Sequence, residues 1–298
     1  MTLAPVASYP PRMLETIDAL ADLSGRYDIL LCDIWGVIHD GRDAFPVACD
    51  ALTAWRETVG PVILISNAAR PHPPVIEQLD GLGVPRAAYS ALISSGDVTR
   101  RLLAERAPGP AYRIGQARDG PLYDGLGLSF VTSLDEAAFI SCTGPNDDDV
   151  ETPEDYRTML AQAARLRLPM ICANPDKVVQ RGDRLIYCGG ALADLFTSLG
   201  GEVEMAGKPH APIYEAALTR ARELAGQPVD PARVLAIGDG LATDIAGANA
   251  QGLDALFVVG GIHGAETRDA AGGLDAPAAE ALLAASGLSA AYAMDALA

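Results

Sequence analysis

Three aspartates occupy positions from which they could bind a metal ion together. Asp33 directly follows the apolar run Ile29–Cys32, and Asp239 follows a second apolar run at residues 235–238. Asp244 comes five residues after Asp239, at the start of a predicted helix. Ligands of open parallel sheets gather at the carboxyl ends of the strands. Carboxylates from two strands can share a hard cation such as Mg²⁺ there, because its oxygen ligands converge from more than one element.

Two further polar residues end another predicted strand and are expected at the same edge. Ser66 and Asn67 directly follow the apolar run at residues 62–65. Any one polar residue at a strand end is more often a turn former or a helix cap than a ligand. Several polar residues at the strand ends of one predicted sheet are, by contrast, better explained as ligands of a shared site.

The spacing of apolar residues predicts an α/β fold whose core is a doubly wound, Rossmann-like parallel sheet. Short apolar runs alternate with longer segments of helical period, which is typical of parallel βαβ units. The predicted core strands are residues 27–32, 61–65, 233–237 and 255–259. The predicted core helices are residues 44–58, 73–82, 211–224 and 243–251.

The middle of the chain predicts a smaller α/β domain inserted into this core. Its predicted borders are Pro85 and Gly207, so residues 1–84 and 207–298 form the core. The insert, residues 85–206, is long enough to fold as a domain.

The insert has its own pattern of strands and helices. Strands are predicted at residues 111–114, 138–142 and 170–173, and a hairpin at residues 178–187. The hairpin is predicted to turn at Arg181, Gly182 and Asp183. A helix is predicted at residues 153–166 with Thr152 as its cap, and another at residues 191–199.

The charge of the chain excludes several classes of partner. Lys and Arg number 22 against 39 Asp and Glu, which gives a formal net charge of −17. Binding to a phosphate backbone needs clustered cations, so neither nucleic acid nor an anionic membrane surface is an expected partner. Only two of the cations are lysines, Lys177 and Lys208. No apolar run approaches the roughly 18 residues of a membrane helix.

The cysteines predict a cytoplasmic protein without a zinc site. They are odd in number, widely spaced and mostly placed inside apolar runs, at Cys32, Cys49, Cys142, Cys172 and Cys188. This pattern predicts buried free thiols in a reducing compartment. Residues 1–11 lack a basic region followed by an apolar one, so no secretory signal is expected.

Common nucleotide and calcium loops do not account for the polar residues. The sequence has no G-x-G-x-x-G, and Lys208 is followed by Pro209 where a P-loop needs Ser or Thr. The acidic run at residues 146–149 lacks the glycine of a calcium loop, which favours a solvated loop.

At five places the sequence resembles the haloacid dehalogenase (HAD) superfamily, in its class IIA or NagD-like branch. Residues 33–37 (DIWGV) resemble motif I, and residues 65–67 (ISN) resemble motif II. Residues 207–209 (GKP) resemble motif III, and residues 238–244 (GDGLATD) resemble motif IV. Residues 173–176 (ANPD) resemble the signature of that branch's cap domain. The motifs occur in order with an insert of cap size between motifs II and III, which makes the resemblance specific.

The resemblance implies a metal-dependent phosphatase in which Asp33 is the nucleophile. Asp33 would attack phosphorus and form an aspartyl phosphate. Mg²⁺ would be held by Asp33, Asp239 and the backbone carbonyl of Trp35. Asp244 would position the water ligands of the metal, or Lys208, from further out.

The resemblance also implies which residues bind the phosphoryl group. Ser66 and the Asn67 amide would hold its oxygens, and Lys208 would add a positive charge, so that Ser66 and Lys208 join Asp33 as catalytic residues. Trp35 and Gly36 of motif I would lie against the same group.

Two residues of the cap signature have two interpretations. Asn174 and Asp176 would face the substrate if the cap closes over the nucleophile. A plain turn between strand and hairpin explains the same residues.

Position 35 departs from the pattern of the superfamily's phosphatases. They carry a second aspartate there, which protonates the leaving group and then activates water. An indole does not exchange protons usefully near neutral pH, so Trp35 leaves this place without a general acid. The role is worth about 10²–10⁴ in rate. We therefore expect a phosphatase of a small phosphorylated metabolite that is slow or biased to good leaving groups.

Other functions stay open at this point. His39 and Asp40 could replace the acid, although a surface turn is favoured for this segment. The protein could bind a phosphorylated metabolite without turnover, as a regulatory protein. Dehalogenation needs no such acid, but the carboxylates of motif IV argue for a metal and against it. A small phosphorylated substrate is the expected partner, and a homodimer also stays open.

Overall fold

The computed structural model describes residues 13–181, 184–269 and 272–298. The strands are β1 Glu15–Thr16, β2 Ile29–Cys32, β3 Val62–Ser66, β4 Ala91–Ser94, β5 Ala111–Ile114, β6 Phe130–Val131, β7 Phe139–Cys142, β8 Met170–Cys172, β9 Val178–Arg181, β10 Arg184–Tyr187, β11 Val203–Met205, β12 Val234–Gly238, β13 Asp254–Val258 and β14 Tyr292–Met294. The α-helices are α1 Pro46–Thr58, α2 His72–Gly81, α3 Ser95–Ala104, α4 Arg157–Arg165, α5 Gly189–Ser198, α6 Ala211–Ala225, α7 Ala246–Gln251 and α8 Ala276–Ala285.

The larger sheet has seven strands in the order β1-β14-β13-β12-β2-β3-β4. Adjacent strands from β1 through to β3 in that order pair in parallel. The chain runs outward from β2 in one direction and outward from β12 in the other, so the strand order reverses between them. The central residues of β2 and β12 are fully buried, in keeping with the continuous apolar runs of the sequence. The predicted doubly wound fold is confirmed.

The smaller sheet contains five strands in the order β11-β8-β7-β5-β6, all parallel. Helices α4 and α5 cover one face of it through an apolar cluster that includes Leu160, Phe196 and Met170. Strands β9 and β10 form a separate antiparallel pair, which confirms the predicted hairpin. Of its predicted turn, Gly182 and Asp183 lie outside the described residues.

The contacts divide the chain into two compact units. The first contains Met1–Ile65, Asp80–Leu92 and Ala217–Ala298, and the second contains Ser66–Leu79 and Ile93–Ala216. Strand β4 follows the predicted border at Pro85, yet it is an edge strand of the seven-stranded sheet. The borders at Pro85 and Gly207 stay a prediction.

Two local predictions differ from the structure in detail. The helix predicted at residues 243–251 begins earlier, because a π-helical turn, Leu241–Ile245, precedes α7. The segment predicted as one helix at residues 153–166 is a 3₁₀ turn, Pro153–Tyr156, followed by α4. Thr152 caps that turn as predicted, in a capping box with Asp155.

The sequence also predicted the state of the cysteines. All five cysteines are buried free thiols, as expected. Within the described residues, no helix combines the length and the apolar character needed to cross a membrane.

Candidate active site

The three aspartates predicted as a metal site meet in the first unit. Asp33, Asp239 and Asp244 are 8%, 7% and 4% exposed. One carboxylate oxygen of each lies within 4.8 Å of the others. Three negative charges this close repel one another strongly in a buried site, and hard oxygen ligands at this spacing fit a divalent cation such as Mg²⁺.

Strand order explains why residues about 200 positions apart in sequence converge. Cys32 pairs in register with Ile237, so β2 and β12 end side by side. The Asp33 backbone N–H continues the ladder by donating to the Ile237 carbonyl, at 2.8 Å. Asp33 and Asp239 therefore leave the sheet together at the point where the strand order reverses, the usual ligand position of such sheets.

The side chains of Asp239 and Asp244 are fixed by backbone amides. The Ile262 N–H donates to Asp239 Oδ2 at 2.9 Å, and the Gly240 N–H donates to Asp244 Oδ2 at 3.1 Å. Hydrogen bonds from backbone amides fix the orientation of a carboxylate.

Two glycines allow this arrangement through close approach. A Cβ atom on Gly36 would lie 2.2 Å from Asp239 Oδ2, and one on Gly261 would lie 2.1 Å from the same oxygen. Gly36 also has a φ of +81°, which side chains rarely adopt. The Asp239 carboxylate is thus enclosed by backbone. Gly261 and Ile262 were not predicted as part of the site, although the Gly-Gly pair after β13 was an available signal.

A second group of predicted residues meets in the second unit. Asn67 and Lys208 are buried, at 4% and 2% exposed. The Lys208 N–H donates to Asn67 Oδ1 at 2.7 Å, and Asn67 Nδ2 donates to the Lys208 carbonyl at 3.0 Å and to Asp176 Oδ1 at 2.8 Å. Motif II, motif III and the cap signature are therefore joined by one amide side chain. The burial of Lys208 excludes the exposed loop position that is usual for a lysine.

The remaining predicted phosphate ligands take part in turns next to this group. Asn174 Oδ1 accepts from the Asp176 N–H at 3.0 Å, so the cap signature does form the turn that was the alternative interpretation. Ser66 Oγ accepts from the Ala68 N–H at 3.2 Å at the end of β3. Lys177, by contrast, is exposed and forms an ion pair with Asp194.

Trp35 packs against the loop that follows motif I. Its ring meets the His39 ring edge to face, with centroids 5.1 Å apart. A Cβ atom on Gly41 would lie 2.4 Å from the indole, so the ring rests on that glycine's backbone. Position 35 supplies packing here instead of a titratable group.

The segment considered as a replacement for the acid has two different halves. Asp40 forms the favoured surface turn, in which Oδ1 accepts from the N–H groups of Arg42 and Asp43. His39 is buried, its Nδ1 accepts from the Gly41 N–H at 2.9 Å, and burial lowers its pKa to about 4. Its imidazole is therefore neutral near pH 7 and has its proton on Nε2.

The acidic run at residues 146–149 is not simply a solvated loop, and that expectation was wrong for one residue. Asp148 is buried and accepts from Arg181 Nη2 at 2.8 Å and from Arg118 Nη2 at 2.5 Å. Asp147 and Asp149 are exposed as predicted. Paired arginines explain how a carboxylate can be buried in a polar loop.

Comparison with known proteins assigns the family. The model of the haloacid dehalogenase-like hydrolases matches residues 30–129, and a second model, HAD-hydrolase-like, matches residues 205–285. A crystal structure of a haloacid dehalogenase-like hydrolase from Brucella suis 1330 is 45% identical, has a TM-score of 0.84, and is matched over 95% of this chain and 100% of that chain. The chain belongs to the haloacid dehalogenase-like hydrolase family, as its motifs predict.

More distant relatives include proteins that are named as phosphatases. The D-glycerol 3-phosphate phosphatase of Mycobacterium tuberculosis is 26% identical over 83% of this chain and 67% of its own length. A glycerol phosphate phosphatase of the same organism in complex with magnesium is 25% identical over 83% of this chain and 71% of that chain, with a TM-score of 0.59. Human chronophin is 26% identical over 85% of this chain and 88% of its length.

Proposed function

We propose that the protein is a Mg²⁺-dependent phosphatase of a small phosphorylated metabolite, with Asp33 as the nucleophile. The observation that carries the proposal is the convergence of three buried carboxylates at the reversal point of a parallel sheet. Relatives named as phosphatases, one of them in complex with magnesium, support the same chemistry. Free buried thiols fit the cytoplasmic location expected from the sequence.

The chain's own residues divide the reaction between them. The Asp33 carboxylate attacks phosphorus, the bond from phosphorus to the leaving oxygen breaks, and that oxygen takes a proton from solvent. Water then attacks the aspartyl phosphate at phosphorus, which releases inorganic phosphate and restores Asp33. Ser66, Asn67 and Lys208 bind the phosphoryl oxygens, Lys208 as a buried positive charge.

The metal would be held by Asp33, Asp239 and the carbonyl of Trp35, with Asp244 orienting the site from outside. When bound, it supplies positive charge that reduces the repulsion between carboxylate and phosphoryl group. The amides that fix Asp239 and Asp244 keep both side chains in place before the ion arrives.

Leaving-group preference follows from Trp35. Because an indole donates no proton, the leaving oxygen must depart as an anion or draw a proton from water. Aryl and acyl phosphates, whose leaving groups are stable anions, are therefore the better substrates. Alkyl phosphates lose the contribution of about 10²–10⁴ that a general acid makes.

The test measures hydrolysis of p-nitrophenyl phosphate and acetyl phosphate with and without Mg²⁺. We expect activity that needs Mg²⁺ and disappears in Asp33→Asn. Asp28→Asn is the matched control, because Asp28 precedes the same strand at its other end and forms an exposed ion pair with Arg233. Equal inactivity of wild type and Asp33→Asn, together with a melting temperature raised by a phosphorylated ligand, would instead establish a binding protein without turnover.

A further inference from the structure

The five-stranded sheet of the second unit has a reversal point of its own. Its order places β6 on one side of β5 and the strands β7, β8 and β11 on the other. The chain therefore passes from β5 to β6 on one side, and then crosses to β7 on the other side of β5. Such a point, at the carboxyl ends of parallel strands, is where ligands bind in open α/β sheets.

The same carboxyl edge already includes the proposed phosphate ligand Lys208. Lys208 follows β11, and the turn from Asn174 to Asp176 follows β8. Thr143 follows β7, and Arg118 lies four residues after β5. Neighbouring strands lie about 4.8 Å apart, so the reversal point is one to three strand spacings, about 5–15 Å, from the phosphate ligands.

Arg70 is held beside this edge by the segment that follows motif II. Its neighbour Ala69 is buried in an apolar cluster with Ala111 of β5 and Phe139 of β7. Gly96 of α3 is close enough that a Cβ atom there would lie 2.4 Å from the carbonyl carbon of Arg70. The backbone of Arg70 is therefore fixed, three residues beyond Asn67.

The surroundings of the Arg70 guanidinium suit an anionic ligand. Arg70 is half-buried, and its Nη2 donates to the neutral amide oxygen of Gln78 at 2.6 Å. Of the charged groups that act on it, Asp119 is attractive and Arg118 is repulsive. Asp119 is engaged by Thr143 Oγ1 at 2.7 Å, and Arg118 pairs with Asp148. A half-buried guanidinium bonded to a neutral amide gains from a further negative charge.

We infer that Arg70 binds a second anionic group of the substrate, a carboxylate or a phosphate, at the reversal point of the smaller sheet. The substrate class is then a phosphate ester or anhydride with a second anion about 5–15 Å from the phosphoryl group. This inference rests on the proposed function, because Asn67 and Lys208 define the phosphoryl end.

Matched substrates test the inference. 4-Carboxyphenyl phosphate and 4-carbamoylphenyl phosphate have similar shapes and phenolic leaving groups, but only the first has a second anion. We expect wild type to prefer the carboxylate by about tenfold or more in kcat/KM, the effect of a charge-assisted hydrogen bond. 1,4-Phenylene bisphosphate distinguishes the two anions, because a preference for it over 4-carboxyphenyl phosphate points to a second phosphate and the reverse preference points to a carboxylate.

Three variants distinguish the effect of the Arg70 side chain from the effect of changing the net charge. Arg70→Gln should abolish the preference, so that the two monoesters are hydrolysed with equal kcat/KM. Asp119→Asn, which can still accept from Thr143, should increase the preference because a competing negative charge is removed. Arg165→Gln removes a positive charge from an exposed position of α4 and should change neither rate.

The outcomes distinguish failure of the inference from failure of the proposed function. Equal rates for the two monoesters in wild type, with both rates lost in Asp33→Asn, would overturn the role of Arg70 and leave the phosphatase intact. A preference that persists in Arg70→Gln would do the same. Activity that is indifferent to Asp33→Asn would overturn both.

Discussion

Gly36 offers a way to move one carboxylate of the predicted metal site without changing any ligand. A methyl group there would lie 2.2 Å from Asp239 Oδ2 and 2.8 Å from its Cγ, whereas ordinary contact begins at 3.4 Å. Asp239 therefore has to move by about 1 Å in Gly36→Ala, away from the amide of Ile262 that now holds it. A displacement of about 1 Å in a catalytic group costs on the order of 10²-fold in rate.

The backbone strain of the substitution is measured separately by Gly25→Ala. Gly25 has a φ of +88°, close to the +81° of Gly36, and a methyl group there meets nothing within 4 Å. Both variants should lose about 1–2 kcal/mol of stability from a side chain in the left-handed region. Only Gly36→Ala adds the collision with Asp239, so it should be the less stable of the two.

Mg²⁺ titrations of p-nitrophenyl phosphate hydrolysis, with urea unfolding of each variant, provide the measurement. Gly25→Ala should keep the Mg²⁺ dependence and kcat/KM of wild type. Gly36→Ala should lose about 10²-fold in kcat/KM and need at least tenfold more Mg²⁺ for half of its activity. If both variants respond to Mg²⁺ as wild type does, Asp239 is not a metal ligand and the reasoning fails.

Three further predictions concern other parts of the structure. Trp35→Asp should raise kcat/KM on alkyl phosphates more than on aryl phosphates, while loss of indole packing lowers the free energy of unfolding by about 2 kcal/mol; equal effects on both substrate classes would contradict the missing-acid argument. Burial alone would raise the pKa of Asp148, but hydrogen bonds from Arg181 and Arg118 outweigh it and lower the pKa to about 2. The pKa of an aspartate in the unfolded chain is about 3.9, so the lowered pKa of Asp148 stabilises the folded state fully above pH 3.9. This stabilisation is lost as the pH falls to about 2. Asp148→Asn should thus cost about 1–2 kcal/mol at pH 7, after allowance for screening at half-exposed arginines, and less at pH 3 in urea titrations; an unchanged difference would count against the ion pairs. Leu64→Ala, at a fully buried position of β3, should cost about 2–5 kcal/mol in the same assay, and a loss below 1 kcal/mol would contradict its place in the core.

The core of the fold was predictable because its strands are continuous apolar runs with turn residues at their ends. Strands β2, β3, β12 and β13 begin and end within two residues of their predicted bounds. The structure adds β4, of four residues, and β1, β6, β11 and β14, each of only two or three residues. Runs of two to four residues are too short to show a periodicity of their own.

The site was predictable where chemistry depends on side chains and unpredictable where it depends on backbone. The convergence of Asp33, Asp239 and Asp244 follows from their positions after strands that flank the reversal point. The amide of Ile262 gives no signal in its side chain, because any residue except proline could donate that hydrogen bond. The residue type alone also does not predict the role of a lysine. Lys177 is exposed and Lys208 is buried, and in the sequence only the neighbouring Gly and Pro distinguish Lys208.

A net negative charge and a site that binds a phosphoryl group are compatible, because net charge and site charge act over different distances. A charge of −17 repels polyanions along the whole surface, and for that reason it argues against nucleic acid. Charges beyond the Debye length of about 8 Å are largely screened in physiological salt, whereas the carboxylates of the site lie within 4.8 Å of one another. A phosphoryl group therefore responds to the local set, in which a bound cation and Lys208 provide the positive charge. A second anion responds to Arg70 in the same way, so the sign of the whole protein does not limit which small anions it binds.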